Sequence, residues 1–127
     1  MNVVSVGTDI VNVDRIAKIY EESKEKFLER ILTPNEISSM PERDIAQVAY
    51  LSKRWAAKEA VAKAFQTGIG QSLSFLDIEI GHLESGAPCV ILSTRAKALA
   101  NSMGISEFKI SISDEKLFAV AFVIGCR

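Results

Sequence analysis

Histidine, cysteine and proline are scarce in this chain of 127 residues, with one, two and three copies, and each scarcity removes a class of chemistry. His82 stands alone, and Cys89 and Cys126 lack C-x-x-C or zinc spacing, so no histidine and cysteine set is available for zinc. The same two thiols provide no disulfide framework and fit a reducing compartment. No apolar run approaches the ~18 residues that a membrane span needs, and MNVVSVGTDI lacks a basic leader region. A soluble, cytoplasmic protein is therefore expected, with no membrane partner. An excess of one charge is missing as well. The balance of 15 Lys+Arg against 16 Asp+Glu, net −1, argues against a surface built to cradle nucleic acid.

What the chain does have is apolar residues, 48% of the total, enough for one domain over residues 1–127 with a core of its own. Residues 2–11 read as a β-branched strand, followed by helical spacing of Ile16, Ile19 and Tyr20 in VDRIAKIYEES and of Phe27, Leu28, Ile31 and Leu32 in KEKFLERIL. TPNE is a helix start, with Thr33 as N-cap, Pro34 at the first position and Glu36 completing a capping box. A long helix is expected over 44–66, stopped by Gly68 and Gly70. Residues 74–92 read as a hairpin turning at SGAP, 93–103 as a helix stopped by Gly104, and FKISIS and LFAVAFVIG as strands joined at DEK. The final strand is apolar on both faces, as a central strand would be. The expected class is α+β, a mostly antiparallel sheet packed against the long helix.

Within that helix, KRWAAKEAVAKAF combines close-packing alanines with charge. Trp55, Glu59 and Lys63 follow one another at i, i+4 and share a stripe, while the alanines beside them allow another element to approach closely. Glu59 and Lys63 alone could be an ordinary surface pair, worth ~0.3 kcal/mol. Asp9, in GTD, sharpens the choice: an aspartate inside a buried-looking strand needs a partner or a site that uses its charge, and Gly7 lets something come near the backbone. Capping of the next helix is the alternative role for Asp9, although Asn12 and Asp14 are better placed for it. Two carboxylates from distant segments, with a lysine one turn away, suit a hard cation such as Mg2+ that draws further ligands from water and phosphate.

GTDIV, ERILTPNE, RWAAKEAVAKAF, TGIGQSLSFLDIEI, GAP and SIS occur here in the order and spacing that resemble the holo-[acyl-carrier-protein] synthases, the short bacterial 4′-phosphopantetheinyl transferases. The resemblance covers nearly the whole chain. It implies the fold of that family and transfer of 4′-phosphopantetheine from coenzyme A to a serine of apo acyl carrier protein, releasing adenosine 3′,5′-bisphosphate in support of fatty acid biosynthesis. It also implies that Asp9 and Glu59 bind Mg2+ around the coenzyme A pyrophosphate. Glu59, directly or through water, would take the serine proton, and Lys63 would support the departing phosphate.

By the same resemblance, Arg54 would contact the nucleotide end of coenzyme A, with a solvated surface arginine as the other reading. Gly68 and Gly70 would line the coenzyme A cleft, and Gly86, Pro88 and Ser113 would meet the cofactor across a subunit boundary, residues 85–88 and 111–114 reaching a neighbour in a homotrimer. Arg15 would receive the acidic carrier protein. One position departs from the pattern: the family usually carries histidine where this chain has Asp114, which would repel nearby phosphates unless it pairs with Lys116, turns away or joins the metal site. The rival readings are a Mg2+-dependent phosphohydrolase and a noncatalytic oligomeric subunit.

Overall fold

The β-branched opening forms strand β1, Val3–Asn12, one residue further along than the pattern indicates, in a computed structural model that describes residues 2–127. Asn12 ends the strand and caps the helix that follows, its side-chain oxygen accepting from the Asp14 and Arg15 N–H groups at 2.9 and 3.4 Å. Asp9 is thus released from any capping role. Helix α1, Val13–Ile31, spans both helical patterns and bends where they join, at Ser23, whose φ of −145° and ψ of 49° break the helical geometry. The capping box forms as expected at the start of helix α2, Pro34–Ser38, with Glu36 accepting from the Thr33 N–H at 3.0 Å.

Helix α3, Asp44–Ala64, ends two residues before the expected Gln66. The reason is local: Gln66 itself takes the left-handed conformation, φ 67°, ahead of Gly68, φ 68°, and the Gly68 N–H closes on the Ala62 carbonyl at 3.1 Å. A second correction follows at 74–77, where the expected strand is a 3-10 turn, Phe75–Asp77. Asp77 draws the chain round by accepting from the Ser74 N–H at 2.8 Å, and Arg95 clamps the same carboxylate at 2.6 Å. The hairpin therefore consists of β2, Ile78–His82, and β3, Pro88–Leu92. Helix α4, Thr94–Ser102, is capped by Ser93 and released at Gly104, φ 75°, before β4, Glu107–Asp114, and β5, Phe118–Cys126.

All strand pairs are antiparallel, as expected, but they divide into two sheets: β1-β5-β4, with β5 central, and the separate hairpin β2-β3. Helix α3 lies across the larger sheet. Gly7 makes this possible, since a Cβ there would stand 1.9 Å from the Ala60 carbonyl oxygen and 2.8 Å from the Ala64 nitrogen. The alanines of α3 and the glycine of β1 are two sides of one close contact. Register then assigns faces: Asp9 opposes Ala121, which is buried against α3, while Ile10 opposes Val120 on the outer face. No helix among the described residues is long and apolar enough to cross a membrane.

Candidate active site

The contact between β1 and α3 brings three sequence-selected residues together. Lys63 Nζ lies 3.1 Å from Asp9 Oδ1 and donates to the Thr8 carbonyl at 2.9 Å. The Asp9 side chain is only 14% exposed, so the strand aspartate does have a charged partner, as its burial requires. Among the described residues Lys63 forms its ion pair with Asp9 and none with Glu59, which removes the simple i, i+4 surface pair as the explanation of the KEAVAK charges.

Glu59 is half-buried beside this pair. Burial pushes its carboxyl above the ordinary glutamate pKa, the Asp9 charge pushes it further in the same direction, and Lys63, Arg15 and Arg30 oppose the rise. A Glu59 carboxylate whose ionisation is disfavoured by burial and by the neighbouring Asp9 charge forms, with Asp9, a site that gains from a cation. Both donors are hard oxygens, and they suit Mg2+, with water and phosphate oxygens supplying its remaining ligands.

An aromatic step below Glu59 places the two arginines. Trp55, one turn earlier on α3, packs on Phe75 at 5.0 Å and on Phe27 at 5.9 Å between ring centroids. The Arg15 guanidinium lies 5.6 Å from the Trp55 ring and that of Arg30 lies 5.9 Å from Phe75. Helix α1 therefore turns basic groups toward the acidic site. Arg15 is close enough to bias Glu59, in addition to offering a surface to a partner.

The remaining selected residues lie outside this cluster. Arg54 is neither solvated nor near Asp9: its side chain is 7% exposed, stacked 3.7 Å from the Tyr50 ring centroid, with Nε 3.5 Å from Glu36 Oε2. Gly68 shapes the turn after α3, and the Gly70 N–H bonds the Leu73 carbonyl at 2.8 Å in the following loop. Gly86, φ 90°, belongs to the hairpin turn of the second sheet, and Pro88 opens β3 opposite His82. Ser113 opposes Val120 and so faces away from α3. Asp114 opposes Ala119 and lines a cleft with Val13, Asp14, Val48, Ser52 and Lys116, and no ion pair joins it to Lys116 among the described residues.

Sequence reasoning missed a buried charge network next to Glu59. Lys58 is fully buried and pairs with Glu36 at 2.6 Å, while Arg54 flanks the same carboxylate. Burial lowers the Lys58 pKa against the opposing pull of Glu36. A signal was present: Leu51, Arg54, Lys58, Val61 and Phe65 keep helical i, i+3/i+4 spacing, and all five are buried.

Residues 5–121 match the model of the 4′-phosphopantetheinyl transferase superfamily. The chain is 44% identical over 126 residues to the holo-[acyl-carrier-protein] synthase of Shewanella amazonensis, covering 99% of this chain and 100% of that one. It belongs to the holo-[acyl-carrier-protein] synthase family. Its similarity to the synthase of Hydrogenovibrio crunogenus is 42% over 123 residues, covering 97% and 96% of the two chains. The fold agrees. The crystal structure of the synthase from Neisseria meningitidis superposes with a TM-score of 0.91 at 38% identity, covering 99% of this chain and 100% of that one. The synthase from Helicobacter pylori, solved in complex with coenzyme A, superposes with a TM-score of 0.82 at 38% identity, covering 95% and 99%. Membership of this synthase family fits the α+β architecture, and the Asp9–Lys63–Glu59 cluster lies within the matched residues.

Proposed function

We propose that this protein transfers the 4′-phosphopantetheine group of coenzyme A to a serine of apo acyl carrier protein, leaving adenosine 3′,5′-bisphosphate, and so supplies holo carrier protein for fatty acid synthesis. The observation that carries this reading is the meeting of Asp9, Glu59 and Lys63 at the β1–α3 contact in a member of this family. Asp9 and Glu59 are the residues that would hold Mg2+, which would supply neutralisation of the diphosphate charge. Glu59, whose carboxyl is already biased toward holding a proton, takes the serine proton directly or through a water. The serine oxygen forms the new bond to phosphorus while the bond to the departing nucleotide phosphate breaks. Lys63 offers its ammonium to that departing group.

Arg15 receives acidic side chains of the carrier from its place beside Trp55. The nucleotide end of coenzyme A takes Gly68 and Gly70 from its own chain side and Gly86, Pro88 and Ser113 from a neighbour, while Arg54 stays paired with Glu36. A homotrimer supports this division. The outer face of the larger sheet exposes Val6 (58%), Ile10 (64%), Val120 (36%) and Phe122 (46%), a contiguous apolar surface of the kind that subunit contacts cover. The cytoplasm is the expected setting, consistent with two free cysteines.

The distinguishing experiment follows the small product. Incubation with coenzyme A, Mg2+ and apo carrier should release adenosine 3′,5′-bisphosphate in step with carrier modification. Release of inorganic phosphate without carrier modification would instead identify a phosphohydrolase.

A further inference from the structure

We propose that Lys58 is a positioning residue for Glu59, an inference that rests on the reading of Glu59 as a reaction-site carboxylate. Lys58 Nζ donates to the Ile31 carbonyl at 2.5 Å, to Glu36 Oε1 at 2.6 Å and to the Phe75 carbonyl at 3.2 Å. An ammonium has three N–H donors, and here each has its own acceptor. Those acceptors belong to the end of α1, to α2 and to the 3-10 turn. Glu36 carries the link further, accepting from the Thr33 N–H at 3.0 Å and, through its other oxygen, from the Ile80 N–H at 3.1 Å.

One buried cation thus ties four segments to the single turn of α3 that presents Glu59, the very next residue. The tied segments also carry the surroundings of Glu59. Ile31 follows Arg30, and Phe75 is the ring on which both Trp55 and Arg30 rest. Stability alone does not call for such a residue, because a buried ion pair contributes little net stability compared with apolar side chains of similar volume. Three directed bonds from one atom do what apolar packing cannot: they fix the rotation of α3 about its axis, and with it the aim of the Glu59 carboxylate toward Asp9 and toward substrate. Such aiming matters because small misplacements of a reacting group cost large factors in rate.

Two variants test the role. Lys58→Met alone would strand the Glu36 charge, so it is combined with Glu36→Gln to restore charge balance; Lys58→Arg keeps the charge but replaces the three-way donor with a planar fork. Folding is followed by circular dichroism, coenzyme A binding by calorimetry, and transfer by kcat, with Glu59→Gln assayed in parallel. Both Lys58 variants are expected to lower kcat by at least about tenfold while coenzyme A affinity stays within about twofold. Parental kcat in either folded variant would overturn the inference. An equal loss of kcat and coenzyme A affinity in both would also overturn it, since that pattern reports general loosening. If neither variant folds, Lys58 is a structural residue and the inference fails. Full activity in Glu59→Gln would overturn the reading of Glu59 itself, whatever the Lys58 variants show.

Discussion

Lys63 reaches from α3 to β1 and sets its ammonium 3.1 Å from the Asp9 carboxylate, passing over Glu59 one turn earlier on its own helix. The Lys63 side chain is 51% exposed, and so open a pair contributes at most about 1 kcal/mol to stability. Conservation of charge at Asp9 is needed for chemistry far more than for folding. Asp9→Ala should therefore unfold within a few degrees of the parent and still lose transfer by on the order of a hundredfold or more, as expected on removing the proposed metal ligand. Thermal denaturation alongside turnover at saturating Mg2+ checks this; near-parental turnover would remove Asp9 from the site.

Glu59 should show the opposite trade. Burial and the Asp9 charge hold its carboxyl above the ordinary glutamate pKa, so the folded protein binds the proton more tightly than the unfolded chain does. Stability then falls as pH rises from the ordinary value through the raised one, and at neutral pH the ionised Glu59 is a cost. Glu59→Gln should raise the melting temperature at neutral pH, give no such gain at acid pH where the parent carboxyl is already protonated, and abolish most transfer. Equal melting temperatures at both pH values would show that Glu59 is not held under this strain. Titrating the parent carboxyl by NMR gives a second check, since Mg2+ should draw the midpoint down.

Arg15 combines two roles that a surface helix would keep apart. Its guanidinium lies over Trp55 and lowers the pKa of Glu59, and its position on α1 is the one proposed above to receive the carrier protein. Arg15→Ala should raise the Michaelis constant for carrier protein severalfold, leave that for coenzyme A almost unchanged, and move the acidic limb of the pH profile upward. Equal effects on both substrates would place Arg15 in the nucleotide cleft.

Much of this arrangement was legible before the fold, and the exceptions share a cause. Thr33 and Glu36 announced a capping box because its members are three residues apart, and Gly7 announced a close approach because only glycine permits one. The segment 74–77 misled because alternation in SFLDIEI is compatible with a strand or with a turn. Arg95, which decides it, is 18 residues from Asp77. Lys58 was hidden by its chemistry. A lysine on a helix is normally solvated, and only its three acceptors, 17, 22 and 27 residues away, make burial tolerable. Asp9 and Glu59 could be selected from charge in unlikely places, but the bond from Lys63 to Asp9 depends on how β1 crosses α3.

The resemblance implies that Asp114 stands where the family usually carries histidine. Its carboxylate is exposed and has no ion pair with Lys116 among the described residues, so its charge is not neutralised locally. If the coenzyme A phosphates lie near this cleft, Asp114→Asn should tighten coenzyme A binding by removing repulsion. Calorimetry with coenzyme A measures it. Slower transfer together with a higher Mg2+ requirement would contradict that sign and add Asp114 to the metal site.

Phosphopantetheinyl transfer itself is tested most directly by the intact mass of the carrier. Purified protein, coenzyme A, Mg2+ and an apo acyl carrier protein should yield a carrier heavier by one 4′-phosphopantetheine group, lost on conversion of its acceptor serine to alanine and lost with Glu59→Gln. An unchanged carrier mass under these conditions, with the protein folded and both substrates intact, would contradict the assignment.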